Sequence, residues 1–266
     1  MLGYREIVSG LKNLGTSHQY PVIAHIQPEL LKEIKGGAKT LLGALLSATD
    51  NLMLPSFTYR TQVIPASGPD DNAMVYGGHD ETNFQAAIFS DDLAADEPFF
   101  EMAEEFRLYP QTKRSDHPIL SFIALGLNSA LANQDQLHPY APILAMQEMD
   151  AMVLLFGSDQ SSNFSLHYAE HLAGRKQFTR WGLAKDGILE CTPFPGCPDG
   201  FNKINHHVEK YRVQCELAGF TLEAFSLQQI IETGVDLIKR DPFSLLCNRL
   251  KCERCNAVRQ SIQRRK

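Results

Sequence analysis

A short apolar run, Met152–Phe156, stops at Gly157 and passes through the polar turn 158–162. Helical apolar spacing follows from about Asn163 to Ala173. Strand, turn and helix in that order form half of a βαβ unit, and the alternation recurs along the chain. Strand-like runs over 20–26, 52–57, 119–124 and 187–192 are interleaved with helical spacing over 4–14, 28–34, 38–48, 98–107, 142–149, 204–217 and 227–238. Buried strands alternating with amphipathic helices predict an α/β layered fold. Residues 63–92 carry Pro65, Gly68-Pro69 and Gly77-Gly78 without periodicity and read as a long loop. With no internal repeat and no linker-like stretch, residues 1–266 are expected to form a single domain. At 44% hydrophobic residues it has enough to bury a sizeable core.

Charge narrows the function classes. The chain has 25 Lys+Arg against 31 Asp+Glu, a net −6, which excludes the broad basic face of a general nucleic-acid binder. The distribution is uneven. The segment 249–266 holds seven bases and one acid, whereas 67–105 holds eleven acids and no Lys or Arg. An acidic block of that kind is either a solvated loop or a wall for a cationic ligand. No apolar run approaches the ~20 residues of a membrane-spanning helix. The N-terminus is amphipathic and unlike a secretory leader. The cytoplasm is the expected compartment, with reduced cysteines and no membrane partner.

Three constellations could carry chemistry. His167, Glu170 and His171 stand at i, i+3 and i+4, on one face of a helix that follows a strand. The start of such a helix is where α/β sheets take ligands. The triplet also matches H-x-x-E-H, in which two imidazoles bind zinc and the Glu is a base. That pattern needs a third ligand, and the sequence singles none out. In Arg114-Ser115-Asp116-His117-Pro118, the proline holds His117 in extended geometry beside groups that can tune it. All six cysteines lie from position 191 onward. Cys252 and Cys255 form a C-x-x-C pair, with Cys247 just upstream and Cys197 on a Pro-Gly turn. Cys197, Cys247, Cys252 and Cys255 could close one four-sulfur zinc site that pins the basic 247–266 segment to the domain. Cys191 and Cys215 would then be core thiols. Neither G-x-x-x-x-G-K-[ST] nor G-x-G-x-x-G is present, so those phosphate loops are excluded.

The order of these pieces resembles the aminoglycoside 3-N-acetyltransferase family. The likeness rests on Ala24-His25 followed by Gly36-Gly37, on Leu54-Pro55-Ser56-Phe57-Thr58, and on Arg114-Ser115-Asp116-His117-Pro118 with Ser121 and Gly126. It continues through Leu154-Leu155-Phe156-Gly157, Asn163 and Leu166-His167-Tyr168-Ala169-Glu170, and the C-terminal cysteine segment is similar to that of a cysteine-containing branch. The resemblance implies a three-layer α/β/α domain that moves an acetyl group from acetyl-CoA to an amine of an aminoglycoside-like cation. His167 would be the catalytic base, Glu170 would orient it, and His117 and Ser121 would line the site. His25, Ile26, Gln27, Gly36 and Gly37 would hold the pantetheine arm, and the 67–105 acids would face the cation. Two positions depart from the family pattern. Ile26-Gln27 stand where it has Ser-Ser, and Cys191–Cys197 contains no carboxylate to assist the imidazole. The alternatives are a non-catalytic member that binds a cationic sugar or a partner protein, and a zinc hydrolase built on His167, Glu170 and His171.

Overall fold

Val22–Ile26 (β1) runs down the middle of the larger sheet, paired in parallel with strands on both sides. The structure is a computed structural model, and it describes residues 1–78 and 80–264. Arg265 and Lys266 of the expected basic segment lie outside the described residues. After β1 come Leu52–Pro55 (β2), Gln62–Val63 (β3), Lys113–Arg114 (β4), Phe122–Leu125 (β5), Met152–Phe156 (β6), Phe178–Ala184 (β7), Gly187–Phe194 (β8), Val213–Leu217 (β9) and Phe220–Ser226 (β10). Seven of them form one sheet in the order β4-β5-β2-β1-β6-β10-β9. The remaining three form a small antiparallel sheet, β3-β7-β8. Only the central trio β2-β1-β6 is parallel; β5 and β10 flank it antiparallel.

The helices are Tyr4–Asn13 (α1), Pro28–Lys32 (α2), Gly37–Leu46 (α3), Asp80–Phe84 (α4), Phe100–Arg107 (α5), Asn128–Ala132 (α6), Ala141–Glu148 (α7), Ser165–Leu172 (α8), Asn205–Val208 (α9), Leu227–Arg240 (α10) and Glu253–Gln263 (α11). The strands sort them onto two faces, because successive side chains point to opposite sides of a sheet. Val22, Ala24, Leu154 and Phe156 pack with α1, α2, α3 and α5. Ile23, Val153 and Leu155 pack with α6, α7, α8, α10 and α11. Both sides of the central strands are therefore buried, as the unbroken apolar runs require. The result is the expected three-layer α/β/α arrangement.

The stretch 204–217 is not the single amphipathic helix its spacing predicts. Short helical turns occupy 201–211, and β9 begins at Val213. Ala218 (φ +50°) and Gly219 (φ +81°) make a two-residue turn that folds β9 back onto β10. Hairpin pairing wins over helix here because Leu217 fits against Gly10 of α1, where any side chain on residue 10 would collide with it. Among the described residues of 63–92, regular structure is confined to β3 and the one-turn helix α4. No helix among the described residues is long and apolar enough to cross a membrane.

Candidate active site

The C-terminal ends of β2, β1 and β6 meet at one edge of the sheet, where open α/β folds take their ligands. Gly157 (φ +64°) turns the chain out of β6, tight against Phe220, where a larger residue would be both strained and crowded. Ser158 Oγ donates to His25 O at 2.9 Å and ties this turn to the end of β1. Asp159 accepts from the Ser161 amide and Asn163 from the Ser165 amide, which caps the two short turns leading into α8. A cavity of about 260 Å3 opens at this edge. Its walls include the strand ends His25, Ile26 and Pro55, the rings of Phe57, Tyr59, Phe99 and Phe164, the hydroxyls of Ser161 and Ser162, and His167 with Pro198.

His167 is 6% exposed and reaches the cavity from α8. Its Nδ1 lies 2.8 Å from Glu170 Oε2, so Nε2 is the ring nitrogen left for a ligand. Glu170 Oε1 accepts from Arg175 Nη1 at 2.8 Å. Arg175 in turn donates to the carbonyls of Pro242 and Ser244. Phe201 packs edge-on against the imidazole at 4.7 Å between centroids, and Phe164 does so at 5.5 Å. The outcome is an oriented imidazole with a carboxylate behind it and a buried guanidinium behind that. The carboxylate partner of His167 is thus Glu170 of its own helix, and Cys191–Cys197 contains no carboxylate. Burial holds the His25 imidazole down to about 3 and leaves its Nε2 without a hydrogen-bond partner.

Other candidate residues lie elsewhere. His117 is fully buried and absent from the cavity wall. Its Nδ1 accepts the amides of Ile119 and Leu120 at 3.1 and 3.0 Å, so it caps a turn, and burial takes its pKa to about 3. Ser121 is also buried off the cavity, bonded to Ser56 O and Arg114 Nε. Of the expected pantetheine contacts, His25 and Ile26 line the cavity, while Gln27, Gly36 and Gly37 do not. Gly36 (φ +85°) is the N-cap of α3. His171 points away from His167 and stacks on Tyr140 and Tyr168, beside a separate groove. Among the described residues no convergent zinc set forms around His167 and His171, a correction to the H-x-x-E-H alternative. The 67–105 acids do not wall the cavity either. Asp96 pairs with Arg60, Glu104 with Arg107 and Asp71 with Arg264. No carboxylate is on the wall among the described residues. Sequence reasoning missed Arg175, Ser161, Ser162 and Pro198. Only the two serines, in the turn after a parallel strand, had a sequence signal.

Cys197, Cys247, Cys252 and Cys255 do converge, with every sulfur within 4.8 Å of the others. All four are free thiols. Cys252 caps α11, and Gly200 lets the Leu245–Cys247 backbone pass where a Cβ would collide. A hydrogen bond from Cys255, helped by the Asp199 amide, holds the Cys197 thiol well below its ordinary range. Arg249 lies 3.7 Å from Cys197 Sγ and pairs with Asp199. Cys191 is fully buried, its thiol pushed up to about 12 by that burial. Cys215 is half-buried near Gly10.

Comparison with known proteins converges on the same chemistry. Aminoglycoside N(3)-acetyltransferase III from Salmonella is 25% identical over 278 aligned positions, covering 89% of this chain and 91% of that protein. The apoenzyme of aminoglycoside acetyltransferase AAC(3)-IVa superposes with a TM-score of 0.78 at 22% identity, covering 97% of each chain. AAC-IIIb, solved as a binary complex with coenzyme A, has a TM-score of 0.72 at 19% identity, covering 90% of this chain and 97% of that one. These structures share the fold, with its mixed sheet between two helical layers. The family model for aminoglycoside 3-N-acetyltransferase matches residues 23–239, which span the strand-edge cavity and the whole of the His167–Glu170–Arg175 relay, and it is to this family that the chain belongs.

Proposed function

We propose that this chain transfers the acetyl group of acetyl-CoA to an amino group of a small amine-bearing acceptor, the aminoglycosides of its relatives being the reference class. The observation that carries the reading is His167 on the cavity wall, with Nδ1 held by Glu170 and Nε2 available. An ammonium must lose a proton before it can attack a thioester, and Nε2 is placed to take it. The first proton leaves Nε2 for solvent, and the free amine adds to the thioester carbonyl. Nε2 takes the second proton from the nitrogen of the adduct, and as the C–S bond breaks that proton passes to the leaving thiolate, so that amide, thiol and one solvent proton result. Glu170 steadies the imidazolium formed on the way, and Arg175 holds the Glu170 carboxylate in place. Ser161 and Ser162 offer hydroxyls on the same wall, where Ile26-Gln27 supply none from β1.

The reading takes residues 1–266 as one domain in a reducing cytoplasm, with no membrane or nucleic-acid partner. It includes a structural zinc on the four cysteines. A Zn–S distance of ~2.3 Å puts tetrahedral sulfurs about 3.8 Å apart, within small movements of the observed cluster. When bound, the ion supplies a tetrahedral tie between 197 and the 247–255 segment and takes no part in the transfer. The test of function is thiol release from acetyl-CoA by the purified chain with a panel of aminoglycosides and other amines. His167→Ala is expected to lower the rate by at least ~100-fold, the usual scale for a general base. A rate unchanged by that substitution rejects His167. Absence of turnover across the panel favours the non-catalytic alternative.

A further inference from the structure

A second cavity, of about 660 Å3, adjoins the one at His167. The two share Pro198 as a wall. Its charged lining is Arg180, Arg249, Lys251 and Arg254 against Asp199 and Glu253. Arg249 is committed to Asp199 and to Cys197. Arg180 and Arg254 are not committed in this way. They pack on one ring, Phe194, at 5.7 and 5.9 Å from its centroid. Neither makes an ion pair with a carboxylate among the described residues. Arg180 is 3% exposed and donates to the carbonyls of Asn72 and Thr179, and Arg254 donates to Gly196 O. Two guanidiniums packed on one aromatic ring repel each other, and carbonyl dipoles offset only part of that cost. The complementary group is an oxyanion, which guanidinium donors match in charge and geometry.

From this arrangement we infer that the acceptor is an amine that also carries a carboxylate or phosphate, held by Arg254 and Arg180 while its amino end reaches His167. This rests on the acetyl-transfer reading and specifies its acceptor. The alternative source of the oxyanion is the coenzyme itself. The crevice at the ends of β1, β2 and β6 is the place where an α/β sheet takes a nucleotide-bearing ligand, whereas this cavity is built from the small sheet and the C-terminal segment. The His167 cavity also offers no carboxylate to a polycation, and the surplus charge next to it is positive.

The experiment pairs turnover with binding on the full chain. Acceptors are glucosamine 6-phosphate, glucosamine and gentamicin in a thiol-release assay, and calorimetry follows glucosamine 6-phosphate and glucosamine in the presence of coenzyme A. The phosphorylated acceptor is expected to bind at least about tenfold tighter than its neutral counterpart. Arg254→Gln is expected to erase that preference while the KM for acetyl-CoA stays within about twofold. Lys251→Gln, an exposed position on the same cavity wall, should reduce it by a few-fold and guards against a folding defect in the first variant. Equal or weaker binding of the phosphorylated acceptor overturns the inference, as does an Arg254→Gln effect that falls on acetyl-CoA. Charge-dependent binding without turnover would keep the oxyanion site and remove the acetyl-transfer reading. Turnover without charge preference would do the reverse.

Discussion

Glu170 has two carboxylate oxygens and each has a partner: one meets His167, the other Arg175, both at 2.8 Å. With both groups almost wholly buried, the carboxylate is desolvated, and the guanidinium offsets a charge that burial would otherwise penalise by several kcal/mol. Elsewhere the chain keeps imidazoles neutral instead. His117 has both backbone amides on Nδ1, so its proton sits on Nε2, which has no partner in its enclosed site. Its pKa near 3 lies below the ~6.5 of an unfolded histidine. The unfolded chain therefore takes the proton first as pH falls. The stabilisation from a neutral His117 is complete above about pH 6.5 and drains away towards pH 3. His117→Asn keeps an acceptor near the Nδ1 position and removes the titration. Urea unfolding at pH 7 and pH 5 should show wild type losing about 2 kcal/mol more than this variant across that interval. An equal loss in both would mean that His117 is not held neutral.

At the scale of elements, α8 is positioned by a close approach. A side chain on Gly234 of α10 would come within 2.9 Å of Ala169 Cβ and 3.3 Å of Leu166. These two residues flank His167 on the face α8 turns to the core. Gly234→Leu should cost about 1–3 kcal/mol by overpacking, and on the proposed acetyl transfer it should lower kcat more than it raises the KM for acetyl-CoA, because it displaces His167 and not the strand ends. Thermal unfolding beside steady-state kinetics checks both halves. Much of this level was readable in advance. The parallel core strands, the helix after β6 and the helices α1, α2, α3 and α5 follow from apolar runs and spacing, which are local signals, whereas α4 falls in the stretch read as a loop. The strands β7 and β10 were missed, and β9 was taken for helix. Their pattern is short and mixed, and their state is decided by partners far away in sequence, such as Gly10 against Leu217.

On the scale of the whole molecule, the site was half legible. His167 and Glu170 share one helix, so their spacing alone predicted the pair, and the four cysteines could be grouped by residue type. Arg175 could not be assigned, since its role depends on carbonyls at 242 and 244 that only the fold delivers. The acidic 67–105 block misled for a related reason: charge along a sequence does not say where each carboxylate finds its arginine. The cysteine cluster joins the small sheet's neighbour, Cys197, to the last helix. Zinc in that cluster should appear as about one ion per chain by elemental analysis. Cys252→Ser should lose it and lower the Tm by roughly 5 °C or more. A metal-free preparation with the same Tm would remove zinc from the account.

Imidazole, carboxylate and guanidinium all fall between residues 167 and 175. Imidazole and carboxylate are aligned by one turn of helix pitch, not by the meeting of distant strands. Drift in the rest of the chain can therefore reshape what the cavity admits without re-aiming the His167 ring. A lineage can thus exchange one ligand for another while inheriting the pair intact.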